Sequence, residues 1–462
     1  MASSEPVWTR VIRVVAIFVG MIALFIVLMT LVYSLPQDGI IANAADSVVV
    51  MLDEGMYPTR ILDDNSYRLD NYTDALMMDI AVRDTEQSAF VSSVANIHDN
   101  ALRAGNAVDP LLSLAATAVG QRQSPAPYAY YWHGYQVALR PALMVLDYTQ
   151  IRYLNMLLLT LLVAFVVAGL KRDAGGVAAG VFVLALAITG YLIVPMSLQY
   201  SNMTYLTLVA TLALMLMLRA GTFQRFTMEF FLVVGMLTSF FDLLTTPLLT
   251  LCMPLAVLLI ITSKSKTKPL SAYIYLTARL SAVWVIGYVG AWVAKWVLAT
   301  VVLPGDWITL AVKQVLFRTG MDGGTAGPVA AIVQNLTRLV PTAAVGTLMI
   351  VAGIVVLILV VRFRRPTDEV KRAAIPMILA PLPYAWFVVA NNHSSIHSWF
   401  TYRIQLVTVF TVAYFLLSML DMDRVRAAYS RAVLRSPEPV PGEGRLAAGP
   451  EDDPGAPEHE LM

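Results

Sequence analysis

The sequence predicts an all-α integral membrane protein that crosses a bilayer about ten times. Hydrophobic residues make up 58% of the 462 residues and charged residues only 14%, whereas about a quarter of an ordinary soluble domain is charged. The hydrophobic residues also gather in long runs, and a bilayer core of roughly 30 Å requires about 20 such residues per helix. We assign ten runs as spans: 12–34, 151–170, 175–196, 203–218, 228–241, 243–262, 279–303, 342–361, 373–390 and 404–420.

The first run indicates a retained membrane anchor. Its central part, 14–32, is apolar for almost its whole length and lacks the small-residue cleavage site of a signal peptide. Arg10 and Arg13 precede it, and basic residues favour the cytoplasmic side of a membrane. We therefore expect the N-terminus in the cytoplasm.

The positive-inside rule orients the later spans in the same way. If ten spans alternate, every connection on the cytoplasmic side is basic, and the C-terminus is cytoplasmic too. The weak point is the pair of runs around Asp242, which could instead be two short re-entrant helices. The basic residues that support the alternation are Lys171, Arg172, Arg219, Arg225, Lys264, Lys266, Lys268, Arg362, Arg364, Arg365, Lys371, Arg372, Arg424, Arg426, Arg431 and Arg435.

Four segments follow from this threading. Residues 1–34 hold the cytoplasmic N-terminus and the first span, and residues 35–150 form a long extracytoplasmic loop. Within that loop, 42–52 and 74–82 are amphipathic and predict helices that lie along the membrane interface. Residues 151–420 form a bundle of about nine helices. The cytoplasmic tail, 421–462, is predicted to be largely disordered because its last part is rich in Pro, Gly, Glu and Asp.

Composition also excludes several classes of function. The single cysteine, Cys252, lies in an apolar run, which excludes a disulfide framework and a cysteine-based metal site. The net charge of +1 says nothing about nucleic acid, because the charges are clustered; we expect no nucleic-acid partner. No Walker-type Gly-Lys-Ser/Thr sequence is present. We expect no cofactor, and membrane lipids as the surroundings.

The unusual polar chemistry falls on the extracytoplasmic side of this threading. It lies in the sequences RLDNYTD (68–74), YYWHGY (130–135), GMLTSFFDLLTTP (235–247) and NNHSSIHSWFTYR (391–403). Asp242 and Lys295 lie at membrane depth, where a charge costs a few kcal/mol. His98, His133, His393 and His397, four of the five histidines, are also on this side. This one-sided concentration predicts a binding or active face toward the cell exterior.

Each of these residues also has a structural interpretation. Asp70 and Asp74 could solvate the loop or cap a helix, and Asp242 and Lys295 could pair with other buried polar groups. The aromatic residues could form an interfacial belt. The i,i+4 spacing of His393 and His397 would suit a metal on a helix; however, no third ligand accompanies them in the sequence, so we expect no metal.

A short first helix followed by a long outer loop with an acidic residue resembles the GT-C superfamily of polyprenyl-phosphate-dependent glycosyltransferases. The sequences at 68–74, 131–135, 235–247 and 393–403 also look like motifs of bacterial membrane proteins encoded with cell-surface polysaccharide genes. The resemblance implies a GT-C-like bundle in the bacterial plasma membrane. It also implies transfer of a sugar from a polyprenyl-phosphate donor to a glycan or lipid acceptor of the cell envelope.

The same resemblance suggests roles for the polar residues. Asp70, flanked by Arg68 and Asn71, is our first choice as the general base that deprotonates the acceptor hydroxyl, and Asp74 is the second. Donor phosphate binding is assigned to Arg403, His397, Lys295 and Arg152. Substrate binding is assigned to Asp242, Trp132, His133, His393, Trp399 and Tyr402.

Three alternatives stay open at this stage. A transporter or flippase of lipid-linked sugars would need polar residues through the midplane and on both faces. A non-catalytic partner in envelope assembly would need no base at all. A polymerase that joins lipid-linked oligosaccharides would use the same face and differ only in the size of its substrate.

Overall fold

The structure is a computed structural model that describes residues 7–61, 64–82, 86–100, 103–104, 107–265, 268–323, 327–363, 365 and 367–434. The tail 436–462, for which we predicted disorder, lies outside the described residues. So do three of the basic residues used to orient the spans, Lys266, Arg364 and Arg435.

The described part of the chain is predominantly helical. In chain order the α-helices are α1 (Val7–Tyr33), α2 (Asp38–Glu54), α3 (Asn71–Ala81), α4 (Ala89–Ala95), α5 (Pro110–Ala118), α6 (Gln136–Leu143), α7 (Tyr148–Asp173), α8 (Gly176–Ile188), α9 (Leu198–Arg219), α10 (Phe223–Phe241), α11 (Leu248–Ser265), α12 (Leu270–Val302), α13 (Trp307–Thr319), α14 (Pro328–Thr337), α15 (Ala343–Arg362), α16 (Thr367–Ala374), α17 (Leu382–Val389), α18 (Asn391–Ile396), α19 (Ser398–Thr401), α20 (Leu406–Ser418) and α21 (Met422–Leu434). Short 3₁₀ helices cover Asn65–Tyr67, Tyr191–Met196, Ile375–Leu379 and Tyr402–Gln405.

Among the described residues, the strands form two small antiparallel ladders in the long loop. Strand β1 (His98–Asp99) pairs with β4 (Pro125–Ala126), and His98 lies opposite Ala126. Strand β2 (Arg103–Ala104) pairs with β3 (Ala107–Val108). The amphipathic stretches predicted at 42–52 and 74–82 lie on α2 and α3.

Seven of the described helical segments are long and apolar enough to cross a membrane, so the chain is an all-α polytopic membrane protein. They are Trp8–Tyr33, Tyr148–Asp173, Leu198–Arg219, Leu270–Val302, Ala343–Arg362, Asp368–Val389 and Ser398–Ser418. The other three predicted spans fall on α8, α10 and α11, which are helical but do not meet the same length and hydropathy requirement.

Exposure of apolar side chains separates lipid-facing from central helices. Leu348, Ile350 and Leu357 of α15 are more than 60% exposed, as expected for side chains that face hydrocarbon. In contrast, every residue in the 251–260 stretch of α11 is buried. A helix that is apolar all round belongs in the centre of a bundle, and α11 takes that place.

Helices α10 and α12 pack backbone to backbone because each carries a glycine at the contact. A Cβ atom on Gly235 would lie 2.2 Å from the carbonyl oxygen of Trp284, and one on Gly287 would lie 2.3 Å from that of Leu232. Any larger side chain would separate the helices. Small residues allow this close approach in membrane bundles.

The long loop is fastened to one end of the bundle by buried side chains that donate to main-chain carbonyls. The indole Nε1 of Trp132 donates to the carbonyl of Ala291 at 2.8 Å. The guanidinium of Arg140 donates to the carbonyl of Val32, near the C-terminus of α1, at 2.8 Å. A cation at the last carbonyls of a helix is favourable.

The two ends of the bundle therefore differ. We call the end that carries the loop residues 35–147 the loop end; α7 begins there at Tyr148. We call the opposite end, where Lys171 and Lys264 lie, the basic end. With 26 residues, α7 alone spans about 39 Å between the two ends. The loop end holds every residue that the sequence assigned to base or phosphate binding.

Candidate functional site

Asp70 and Asp74 lie on the first turn of α3, and each has a local reason to be there. The Oδ1 atom of Asp70 accepts the main-chain N–H of Thr73 at 3.0 Å, so Asp70 is the N-cap of α3. Asp74 follows one turn later and is completely buried. Asp70 therefore caps a helix, which was its structural interpretation, and this role is compatible with a catalytic one.

The carboxylate of Asp74 is saturated with donors from the protein. It accepts the Tyr148 hydroxyl at 2.7 Å and the Ser197 hydroxyl at 3.1 Å. The main-chain N–H groups of Leu198 and Gln199 donate to it at 2.9 and 3.0 Å. These last two are orphan donors at the start of α9, so Asp74 joins α3 to α9. Burial raises the pKa of Asp74, and these donors oppose the rise.

Arg152 extends the same network and has no nitrogen left for a ligand. Its Nη1 and Nη2 atoms donate to the two carboxylate oxygens of Glu54 at 2.8 and 2.9 Å. Nη2 also reaches the Tyr148 hydroxyl and the amide oxygen of Asn71, and Nε donates to the carbonyl of Met196 at 2.7 Å. We call Asp74, Arg152, Tyr148, Asn71 and Glu54 the Asp74 network. It ties α2, α3, α7 and α9 together.

Asp70 lies in a different setting. It is only 2% exposed, and burial raises its pKa to about 7, with a further rise from Asp74 and opposition from Thr73 and Arg68. Its charge also contributes, after burial, to the raised pKa of Tyr57 and Tyr72. A carboxyl group with a pKa near neutrality can both take up and release a proton.

Arg68 is held between two aromatic rings. Its guanidinium carbon lies 3.9 Å from the ring centroid of Tyr57 and 4.2 Å from that of Trp399. These are cation–π distances. The Nε of Arg68 and the Nε1 of Trp399 are buried and have no hydrogen-bond partner in the described part of the chain.

Arg318, near the end of α13, joins the two histidines of the last outer loop. Its Nη1 donates to His393 Nδ1 at 3.1 Å and to His397 Nε2 at 3.3 Å. His393 in turn donates through Nε2 to the carbonyl of Leu244 at 2.8 Å. Burial, with Arg318 and then Arg68 nearby, lowers the pKa of His397 to about 3. Both imidazoles are therefore neutral at pH 7.

The tautomers of these histidines follow from their partners. Because His397 Nε2 accepts from Arg318, its proton resides on Nδ1. That Nδ1 and the Nε of Arg318 also have no hydrogen-bond partner among the described residues. The ring of Trp399 lies 5.1 Å from that of His397. We call Arg68, Arg318, His393, His397 and Trp399 the arginine–histidine cluster.

The arginine–histidine cluster thus presents four unpaired N–H donors. The five residues of this cluster contribute no unpaired acceptor. Such an arrangement fits a ligand rich in acceptor oxygens, and a phosphate has three or more of them. Nothing of this kind is left in the Asp74 network.

Arg403 and Tyr402 brace the site. Arg403 donates from Nη1 to the carbonyl of Trp399 at 2.8 Å and from Nη2 to that of Ser66 at 3.1 Å. The hydroxyl of Tyr402 donates to the carbonyls of Ser66 and Thr189 at 3.0 and 3.2 Å. These bonds fix the last outer loop against the segment that leads to Arg68. Only the Nε of Arg403 lacks a partner in the described residues.

Asp242 caps the break between α10 and α11. Its Oδ1 accepts the N–H of Thr245 at 2.7 Å, while its Oδ2 is buried without a partner among the described residues. Leu244, which receives the bond from His393, has a φ of +65°. This left-handed conformation costs a leucine about 1 kcal/mol or more. Through its bond to His393, Leu244 connects the turn that contains Asp242 to the arginine–histidine cluster.

Trp132, His133 and Lys295 lie inside the packing of the loop on the bundle. Besides its bond to Ala291, Trp132 packs against the stacked rings of Phe25 and Phe240. His133 contacts the Tyr135 hydroxyl through Nδ1 at 2.8 Å and the Tyr128 carbonyl through Nε2 at 2.9 Å. Lys295 donates to the carbonyl of Val94 at 2.7 Å.

The structure therefore brings together Asp70, His393, His397, Trp399 and Arg403. The polar atoms of Trp132, His133 and Lys295 are bound to main-chain carbonyls instead, and Tyr131 beside them interacts with Arg318. Sequence reasoning missed Arg318. An arginine in a connection that the ten-span threading assigns to the extracytoplasmic side, against the positive-inside tendency, was the signal that could have identified it. Among the described residues no group of three His, Cys, Asp or Glu side chains could hold a metal ion.

An apolar groove of about 530 Å³ lies next to α3 at the loop end. It is lined by Met77 of α3, Leu198 of α9 and, from neighbouring helices, Tyr135, Leu154, Leu237 and Phe241. Met77 and Leu198 also connect it to the Asp74 network, since Leu198 donates to Asp74. A groove of this kind suits a hydrocarbon chain.

No family model, curated protein or solved structure matches this chain.

Proposed function

We propose that the protein is a membrane glycosyltransferase that moves a sugar from a polyprenyl-phosphate donor to a glycan or lipid acceptor of the cell envelope. The proposal includes ten spans in a GT-C-like arrangement, with both chain ends cytoplasmic and the loop end outside a bacterial plasma membrane. One observation carries it: the four unpaired donors of the arginine–histidine cluster lie beside a buried carboxyl group, Asp70.

The proposed reaction uses each part of this arrangement. The acceptor oxygen attacks the anomeric carbon of the donor sugar, and its proton passes to the carboxylate of Asp70. The bond between that carbon and the phosphate oxygen breaks, and its electron pair leaves with the polyprenyl phosphate. No oxidant or reductant is needed.

Arg318 and Arg68 supply the stabilisation that the leaving group requires. Negative charge grows on the phosphate as the bond breaks, and fixed donors in a water-poor site lower the free energy of that state. A guanidinium can grip two phosphate oxygens at once. Arg318 has a free Nε for this purpose, whereas Arg152 is fully occupied by Glu54, Tyr148 and Met196.

The apolar groove accounts for the lipid part of the donor. Its lining side chains come from α3, α6, α7, α9 and α10. It adjoins α3, the helix that Asp70 caps. A polyprenyl chain in this groove would leave its phosphate at the loop end of the bundle.

Asp70→Asn is the test, because asparagine caps a helix as well as aspartate does. The variant keeps the bond from Thr73 and loses only the proton acceptor. We would reconstitute the full chain in vesicles with labelled polyprenyl-phosphate hexose and an acceptor extract, and measure release of polyprenyl phosphate. We expect a fall of about 100-fold or more with unchanged thermal stability.

Two outcomes would contradict the proposal. Turnover of Asp70→Asn at the wild-type rate would exclude Asp70 as the base. Movement of the labelled lipid across the vesicle membrane without release of polyprenyl phosphate would indicate a flippase. Mass spectrometry of lipids that co-purify with the protein identifies which polyprenyl donor to use.

A further inference from the structure

A second cavity lies at the opposite end of the molecule from the proposed catalytic residues. It has a volume of about 520 Å³ and is bounded by the first turn of α12, by α16 and by the 3₁₀ helix Ile375–Leu379. It is independent of the loop end, and the proposed reaction makes no use of it.

Three cations border this cavity: Lys268, Lys371 and Arg372. Lys268 is exposed and Arg372 is half-buried, and neither makes a hydrogen bond or ion pair with any residue that the structure describes. Lys371 has one weak and exposed partner, Asp368, at 3.8 Å. Surface pairs of this sort contribute little, so the cavity keeps a net positive charge.

The rest of the cavity wall is apolar. Leu270, Tyr273, Ile375, Met377 and Ile378 line it. Leu270 begins α12, which is one of the seven membrane-spanning segments, and it is 55% exposed. This cavity combines apolar side chains with cations. The combination suits a molecule that has a hydrocarbon chain and an anionic head.

A polar cavity of about 330 Å³ adjoins it and shares Arg372. Lys264 and Arg365 also line this neighbour. Arg365 is engaged by the carbonyl of Leu420 and by Glu369, and Lys264 donates to the carbonyl of Ala174. Arg372 is therefore the cation that borders both cavities. The two cavities together give room for a headgroup larger than a bare phosphate.

We infer that this pair of cavities binds an anionic phospholipid of the surrounding bilayer, with its phosphate against Lys268 and Arg372 and an acyl chain against Leu270 and Ile378. Basic pockets between membrane helices recognise anionic headgroups through this combination of charge and depth. The bound lipid would contact both α12 and α16, since residues of the two helices line the same cavity.

The test compares two lipids that have the same acyl chains and differ in headgroup charge. The purified full chain is titrated with phosphatidylglycerol or with phosphatidylcholine, and bound lipid is counted by native mass spectrometry. The double variant Lys268→Gln/Arg372→Gln should bind phosphatidylglycerol roughly 30-fold more weakly than the wild type, since each cation near the surface contributes about fivefold. Its binding of phosphatidylcholine should not change.

The matched control removes one lysine and one arginine elsewhere at the basic end. Lys171→Gln/Arg426→Gln makes the same change in charge away from the cavity, and it should bind phosphatidylglycerol as the wild type does. Equal loss of binding in the two double variants would overturn the inference, because it would show an effect of net charge alone. Displacement of phosphatidylglycerol by millimolar inorganic phosphate would overturn the lipid assignment in favour of a free anion.

Discussion

Asp70 and Asp74 are one helical turn apart, yet the two aspartates have different surroundings. Asp74 receives two hydroxyl and two main-chain donors, and the arginine of its network is fully paired. Asp70 receives a main-chain donor from Thr73 and lies beside a cluster with four unpaired donors. The difference teaches that burial of a charged residue does not by itself identify a site. The donors that remain unpaired around it are more informative.

The pKa direction does not separate the two aspartates. Burial raises the pKa of both. For Asp74, however, the shift accompanies a carboxylate that links α3 to α9, and a substrate would have to displace those bonds to use it. A substrate could use the carboxyl group of Asp70 without displacing a bond to α7 or α9, since its hydrogen bond among the described residues is to Thr73 of its own helix. We therefore favour a structural role for Asp74 and a catalytic role for Asp70.

The largest effect that we predict is on stability, and it tests the structural half of this comparison. Asp74→Ala leaves two hydroxyls and two main-chain N–H groups without their acceptor. Hydrogen bonds to a charged group contribute about 1.5–3 kcal/mol each, so we expect a loss of about 3 kcal/mol or more. Thermal unfolding of the purified protein, followed by tryptophan fluorescence, measures it.

Asp70→Ala is the control for that experiment. It removes one N-cap, which costs about 1 kcal/mol. The comparison would fail if Asp70→Ala were as destabilising as Asp74→Ala, or if Asp74→Ala unfolded at the wild-type temperature.

Much of the fold could be predicted from the sequence because lipid imposes a simple rule on it. Long apolar runs must be helical to satisfy their main-chain groups, and all ten predicted runs fall on helices. Even α2 and α3 were indicated by their amphipathic patterns. What the runs could not give is which helix is central. The sequences of α11 and α15 are both apolar, and only their neighbours decide that one is buried and the other exposed.

The site was less predictable, because pairing between distant residues decides which polar groups are free. Arg152 and Arg318 are both arginines at the loop end. Glu54, almost a hundred residues away in sequence, occupies the first, whereas uncharged side chains, two histidines and Tyr131, face the second. No local pattern distinguishes them. Trp132 and His133 were assigned to substrate binding from their type alone, and packing against α12 and Tyr128 takes up their polar atoms.

The second prediction tests whether the free arginine is the functional one. Arg318→Gln removes the charge that we assign to the leaving phosphate, and we expect transfer to fall about 100-fold, as when one fixed donor is lost from an oxyanion site. Lys313→Gln on the exposed part of the same helix is the matched control and should be neutral. The measurement is kcat/KM for release of polyprenyl phosphate.

Arg152→Gln sharpens the same contrast. We expect it to lower thermal stability, since it removes one of the two arginines that pair with the half-buried Glu54, Arg60 being the other, and to lower activity only in proportion to the folded fraction. If Arg152→Gln gave a stable protein with the activity loss assigned to Arg318, the roles of the two arginines would have to be exchanged.

The smallest predicted effect is the dependence of transfer on pH. The pKa of Asp70 is raised to about 7 by burial, so the carboxylate that accepts the proton is present above pH 7 and is lost as the pH falls below it. The rate should therefore decline about tenfold for each pH unit below the pKa. The histidines of the cluster do not obscure this transition, because burial and Arg318 lower the pKa of His397 to about 3.

Two variants assign the transition to one aspartate. The residual rate of Asp70→Asn should be independent of pH between 5 and 8, because the group that titrates has been removed. His397→Gln should keep the wild-type profile at a reduced rate, since a neutral amide replaces a neutral imidazole next to Arg318. If the profile persisted in Asp70→Asn and vanished in His397→Gln, the titrating group would belong to the arginine–histidine cluster, and the unpaired donors would then include the base itself.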